Sequence, residues 1–96
     1  MTTFISGTEA RRLISEHDAQ LVDVRNPAEY STGAAPGSLN IPVQMIPHAA
    51  KKLDATKPVV VYCVSGGRSA QAQMILNSMG FNNVHNVVSL QNFLGS

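Results

Sequence analysis

Cys63 is the only cysteine in the chain, and Gly66, Gly67, Arg68 and Ser69 follow it closely. Val59-Val60-Val61-Tyr62 before it are β-branched or aromatic and read as a strand, and a helical pattern takes over from Ala70. A thiol at a strand's end, ahead of a glycine turn and a helix N-terminus, suits anion chemistry on sulfur. Gly66 and Gly67 carry no Cβ, so the chain can curl tightly there. Such a curl turns backbone N–H groups inward as an anion-binding nest, and the helix N-terminus adds to the same positive potential. Arg68 offers a guanidinium fork for an oxyanion. All of these groups favour thiolate over thiol, which makes Cys63 a candidate covalent nucleophile. The same bowl, with Ser69 and Ser65 as further donors, would hold the terminal sulfur of a persulfide. Residue types alone leave a second reading open. A lone cysteine ending a buried strand is also an ordinary small core residue, and Gly-Gly an ordinary turn.

The rest of the chain reads as the frame for this loop. Phe4-Ile5 is a short first strand, and Ser6 with Glu9 has the form of a capping box opening a helix with Ala10, Leu13, Ile14 and His17 on one face. Leu21-Val22-Asp23-Val24-Arg25 is the next strand. Its charged residues fall at the C-terminal end, where open α/β sheets build their sites. Asn26-Pro27-Ala28-Glu29 starts a short helix, capped by Asn26 and ended by Gly33. Leu39-Asn40-Ile41 is a brief strand closed by Pro42, and Val43 to Leu53 has a helical pattern that Pro47 breaks unless it opens a second piece. Val59 to Cys63 is the central strand, covered on both faces. Ala72, Ile75, Leu76 and Met79 form one apolar helix face ended by Gly80, and Met45, Met74 and Met79 are expected to fill the core. Val84 to Val88 is the last strand, and Leu90 to Leu94 a final short helix. Alternating strands and helices predict an α/β domain with a mostly parallel sheet.

Composition narrows the function. Ninety-six residues make one small domain, here residues 1–96, and 44% hydrophobic with 14% charged residues is a folding composition. A net charge of +1, with scattered basic residues and no interleaved aromatics, argues against nucleic acid as a partner. No run approaches the roughly 20 apolar residues that span a bilayer, and Met1 to Ser6 lacks the form of a signal peptide. No cysteine–histidine spacing suggests zinc, and a single thiol suits a reducing compartment, so a cytoplasmic protein is expected. The chain is equally compatible with being one module of a longer protein.

Taken in order, these segments resemble the rhodanese family of single-domain thiosulfate and persulfide sulfurtransferases. Leu21-Val22-Asp23-Val24-Arg25, Glu29-Tyr30, Gly33 and Pro36-Gly37-Ser38-Leu39-Asn40-Ile41-Pro42 are similar to the family's first signature. Cys63-Val64-Ser65-Gly66-Gly67-Arg68-Ser69 resembles its active loop, with glycine third and arginine fifth after the cysteine. Gly80-Phe81-Asn82-Asn83-Val84 resembles its late glycine-aromatic segment. The resemblance implies a three-layer fold, a mostly parallel sheet of about five strands with helices on both faces. It implies Cys63 as sulfur carrier, backbone N–H groups from Val64 to Ser69 around the persulfide, and Arg68 on the sulfonate of a small anionic donor. Asp23 and Arg25 would tie the sheet's end to the loops, with Glu29 as an ion-pair partner. Acceptors would be cyanide, a small thiol or a protein cysteine, and neither metal nor organic cofactor is implied. Ala34 stands where the family often has histidine, Val64 where a basic residue commonly follows the cysteine, and Val88-Ser89 and Phe93 where Gly-Gly and tryptophan are usual. Val64 in particular weakens the attraction for a dianion, which favours a persulfide donor over thiosulfate. A non-catalytic or sulfur-shuttling module is the alternative. Related phosphatases and arsenate reductases place the arginine one residue farther from the cysteine.

Overall fold

The computed structural model describes residues 4–95; Met1, Thr2 and Thr3, part of the stretch read for a leader, and Ser96 lie outside the described residues. Helix α1 (Gly7–His17) precedes strand β1 (Gln20–Asp23), helix α2 (Pro27–Ser31) and strand β2 (Leu39–Asn40). After a 3-10 turn come helix α3 (Ile46–Ala49), strand β3 (Val59–Cys63), helix α4 (Gly67–Ser78), strand β4 (Val84–Ser89) and helix α5 (Leu90–Gly95). The sheet has the order β2-β1-β3-β4, and each neighbouring pair is parallel. It has four strands rather than about five. The expected first strand at Phe4-Ile5 makes a single parallel bridge, Phe4 to Asn86, and one N–H bond from Ile5 to the Asn86 carbonyl.

Strand β3 explains the layering. All five of its residues are buried, as a strand between two helical layers requires. Val59, Val61 and Cys63 face the side of α3 and α4 with Val22, Ile46, Ala72 and Leu76. Val60 and Tyr62 face the side of α1 and α5 with Ala10, Leu13, Val87 and Phe93. Period-two alternation on a central strand thus sends the thiol toward α4 and the phenol the other way.

Local signals set the element ends. Ser6 accepts from the Glu9 N–H at the start of α1, while the Glu9 carboxylate is taken by Arg12. Asn26 and Glu29 form both halves of a capping box on α2. Pro47 opens α3 at its first turn, where its missing N–H costs nothing. Gly80 adopts φ +99° just past the end of α4.

Two expectations need correction. Helix α4 begins at Gly67, three residues before the apolar pattern, because Gly66 in a left-handed conformation already turns the chain into it. The methionines do not fill the core: Met45, Met74 and Met79 are all exposed. The inward row of α4 is Ser69, Ala72, Gln73 and Leu76. Met74 lies between these on the opposite side of the helix, and Met79 lies past its end.

Candidate active site

The strand order changes direction between β1 and β3: the chain leaves β1 for β2 on one side and β3 for β4 on the other. In open α/β sheets the crevice beyond the strands' C-terminal ends at such a point is the usual ligand site. Cys63 closes β3 there, and Asp23 closes β1. A cavity of about 300 Å³ lined by Ile14, Ala19, Gln20, Leu21 and Leu53 lies at the opposite end, by the start of β1, away from this chemistry.

Cys63 is 2% exposed, with its sulfur folded back into the first turn of α4. Sγ accepts from the Gly66 N–H at 3.1 Å and the Ser69 N–H at 3.4 Å. These are orphan donors of a helix start. Gly66, the N-cap residue, has no side chain to satisfy them, and the sulfur does so in its place. Gly66 is required by geometry: it sits at φ +100°, and a Cβ there would approach Val88 Cγ1 to 3.3 Å. Val64 and Ser65 point outward as exposed residues, and Gly67 begins the helix. Burial pushes the Cys63 thiol up. The Ser69 hydroxyl, when its proton faces sulfur, and the N–H groups of Ser69, Gly66 and Ser65 push it down and prevail, leaving it below its ordinary value.

Arg68 pairs with Glu29. Its Nη1 lies 2.7 Å from Oε1 and its Nη2 3.0 Å from Oε2 of that carboxylate. Oε1 also accepts the Asn26 N–H at 3.0 Å, the second half of the α2 capping box. The Arg68 bonds, with the Asn26 N–H, hold Glu29 down at about 2, and Glu29 in turn raises Arg68. The loop is thereby braced against α2.

Beneath the loop, Asp23 is fully buried and accepts from four donors. Arg25 supplies its backbone N–H at 2.9 Å, Nε at 3.0 Å and Nη2 at 2.6 Å, and Tyr62 its hydroxyl at 2.6 Å. A buried carboxylate needs such saturation, since an unpaired charge in the interior is very costly. The cluster reaches outward: Arg25 Nη2 donates to the Gly33 carbonyl at 2.7 Å, and the Tyr62 oxygen accepts the Ala35 N–H at 3.0 Å. The segment after α2 is pinned to the sheet end, and neither Asp23 nor Arg25 touches the sulfur.

Three participants escaped the sequence reading. In the sequence Tyr62 is only a strand residue, Asn86 only part of the last strand, and Val88 only the end of that strand and a departure from a motif. Asn86 is fully buried and accepts the Ser69 hydroxyl at 2.7 Å. Its signal was present: an asparagine amid the valines of a strand is disfavoured unless its amide has partners. Val88 sits at φ +80°, a strained setting for a β-branched residue, where the β3–β4 register shifts. No sequence signal marked that bend. Among the described residues, no group of three or more histidine, cysteine or carboxylate side chains is arranged to hold a metal ion. No helix among them is long and apolar enough to cross a membrane.

Comparison with known proteins bears on this arrangement. A family model described as Rhodanese-like domain matches residues 6–89. The chain is 38% identical over 78 residues to a protein of Allochromatium vinosum named Sulfurtransferase, covering 81% of this chain and 73% of that one. It is 36% identical over 96 residues to the human Thiosulfate:glutathione sulfurtransferase, covering 85% and 84%. The fold is similar to the crystal structure of a rhodanese-related protein from Thermoplasma volcanium, with TM-score 0.80, 29% identity, and 95% and 89% of the two chains covered.

Proposed function

The chain belongs to the rhodanese-like domain family, and we propose that it is a sulfurtransferase moving sulfane sulfur from thiosulfate or a persulfide donor to a thiophilic acceptor through a persulfide on Cys63. The observation that carries this reading is the Cys63 sulfur seated on two N–H donors of the α4 start. Those donors favour the thiolate, which is the nucleophile. The names of the relatives support sulfur transfer at the level of the family.

The proposed reaction has two displacements. The Cys63 thiolate attacks the outer sulfur of the donor. A sulfur–sulfur bond forms on Sγ, the donor's own bond to that sulfur breaks, and sulfite or a thiolate leaves with the electron pair. The negative charge then rests on the outer sulfur, inside the ring of N–H groups from Val64 to Ser69. Cyanide, a small thiolate or a cysteine of an acceptor protein attacks that sulfur, and Cys63 thiolate is regenerated. The cysteine carries the sulfur itself, so the scheme calls on no metal or cofactor, and a reducing compartment such as the cytoplasm suits it. Val64 beside the cysteine and the engagement of Arg68 by Glu29 favour persulfide donors over the thiosulfate dianion.

Incubation with thiosulfate or a small organic persulfide should add one sulfur atom to the intact mass, and later cyanide should release thiocyanate. Cys63→Ser should do neither. Absence of sulfur uptake from every donor would defeat the reading, and thiocyanate production by Cys63→Ser would defeat the assignment of the carrier.

A further inference from the structure

The hydrogen-bond inventory around Ser69 leaves its hydroxyl proton one place to go. Asn86 Oδ1 accepts the Val88 N–H at 2.9 Å, which fixes the oxygen, not the nitrogen, on that side of the amide. Its Nδ2 points at the Gly66 carbonyl, 3.4 Å away. The same Oδ1 lies 2.7 Å from Ser69 Oγ and has no proton to give, so Ser69 is the donor. A hydroxyl has one proton. Across the 3.4 Å to Cys63 Sγ, Ser69 therefore presents only lone pairs, and the thiol S–H donates to it. Once the thiol ionises, lone pairs would face lone pairs. The hydroxyl can then serve the thiolate only by rotating away from Asn86, which is 0% exposed and so cut off from bulk solvent.

We propose that Asn86 is a positioning residue for the sulfur chemistry: by holding the Ser69 proton it competes with the bare Cys63 thiolate and biases the cysteine toward its sulfur-loaded form. This rests on the reading that Cys63 carries sulfane sulfur. In the persulfide, the charge lies on the outer sulfur and Sγ is a weak acceptor, so Ser69 can return to Asn86 without loss. The bare thiolate forces a choice between the two bonds, and the loaded form does not.

The charged groups around the thiol are the Arg68–Glu29 pair from α4 and α2 and the Asp23–Arg25 pair at the end of β1. His85, next to Asn86 on β4, lies toward α1 with Glu9 as its charged neighbour. None is altered by the variants below.

The test is the thiol pKa, followed by thiolate absorbance and by alkylation rate against pH. Asn86→Leu frees the Ser69 proton, so the thiol pKa should fall by about half a unit or more. The balance between loaded and bare cysteine at a fixed persulfide-to-thiol ratio should shift toward bare by about threefold. In a Ser69→Ala background the same substitution should lower neither. A folded Asn86→Leu protein with an unchanged or raised pKa would overturn the proposal. If that variant does not fold, infrared spectra decide. The S–H stretching band of the wild type should stand at a hydrogen-bonded frequency and move to the free value in Ser69→Ala; a band already at the free value would overturn the proposal. Failure of all proteins to take up sulfur would defeat the sulfurtransferase reading instead, and the pKa and infrared results would still judge the competition for the Ser69 proton.

Discussion

Arg68 and Glu29 meet end to end, two guanidinium nitrogens on two carboxylate oxygens at 2.7 and 3.0 Å, across the gap between α4 and α2. The cation best placed to meet an anionic donor is thus already matched by an internal anion, itself fastened by the Asn26 N–H. The geometry makes Arg68 a brace of the active loop first. Any part in binding a sulfonate is shared with Glu29.

Glu29→Gln keeps an amide oxygen for the Asn26 cap and removes the charge. It should raise kcat/KM for thiosulfate relative to an uncharged-tail persulfide by roughly threefold or more, since a charge-assisted bidentate partner of Arg68 is lost. Steady-state kinetics with both donors check this, and an unchanged or lower ratio would show that Arg68 does not meet the donor.

The rate of transfer should rise with pH along a single limb whose midpoint lies below the ordinary thiol value of 9.0. Arg68 and Glu29 contribute no second limb near neutrality, because one is raised and the other held at about 2. For Glu29, whose folded value is lowered from 4.5, the stabilising contribution is present above that pH and drains away as the pH falls toward about 2. Acid unfolding of Glu29→Gln should therefore lose less stability through that window than the wild type.

Gly66→Ala forces a Cβ into a left-handed backbone and against Val88. It should cost about 1–2 kcal/mol, and a loss of each 1 kcal/mol lowers Tm by roughly 4–8 °C in a domain of this size. The thiol pKa should rise with it, because the Gly66 N–H is one of the donors to sulfur. Thermal unfolding together with thiol titration reads both effects.

Tyr62→Phe removes a donor from buried Asp23 and an acceptor from the Ala35 N–H. Asp23 keeps its Arg25 donors, but the buried Ala35 N–H is left unmet, which costs about 1–3 kcal/mol. Because the phenol faces the α1 and α5 side and the thiol the α4 side, Tm should drop while the alkylation rate of Cys63 changes less than twofold. A parallel loss of thiol reactivity would show that the Asp23 cluster reaches the sulfur.

Much of this protein could be read along the chain, for a physical reason: it is built from local signals. Ser6, Asn26, Pro47 and Gly80 act within a turn of where they stand. The continuous run Val59 to Cys63 announces a strand buried on both faces. The Cys63-to-Ser69 loop is a single contiguous motif, so its nest was legible before any fold was known. Met74 lies outward because apolar character alone does not say which side of α4 faces the sheet. That side was decided by Ser69 and Gln73, polar residues whose bonds to Asn86 and to the Val84 carbonyl turn them inward.

Tertiary structure alone decided who stands across from whom. Glu29 is 39 positions from Arg68 and Asn86 is 17 from Ser69. Pairings over such separations depend on strand order and register, which the local pattern does not encode. The sequence by itself placed a thiol at a strand's end ahead of a glycine turn and a helix start, and the folded chain seats that thiol on the Gly66 and Ser69 N–H groups. The parallel packing of β1, β3 and β4 determined that its arginine is held by a carboxylate and its serine by a buried amide, because only a folded sheet brings those side chains within hydrogen-bond reach.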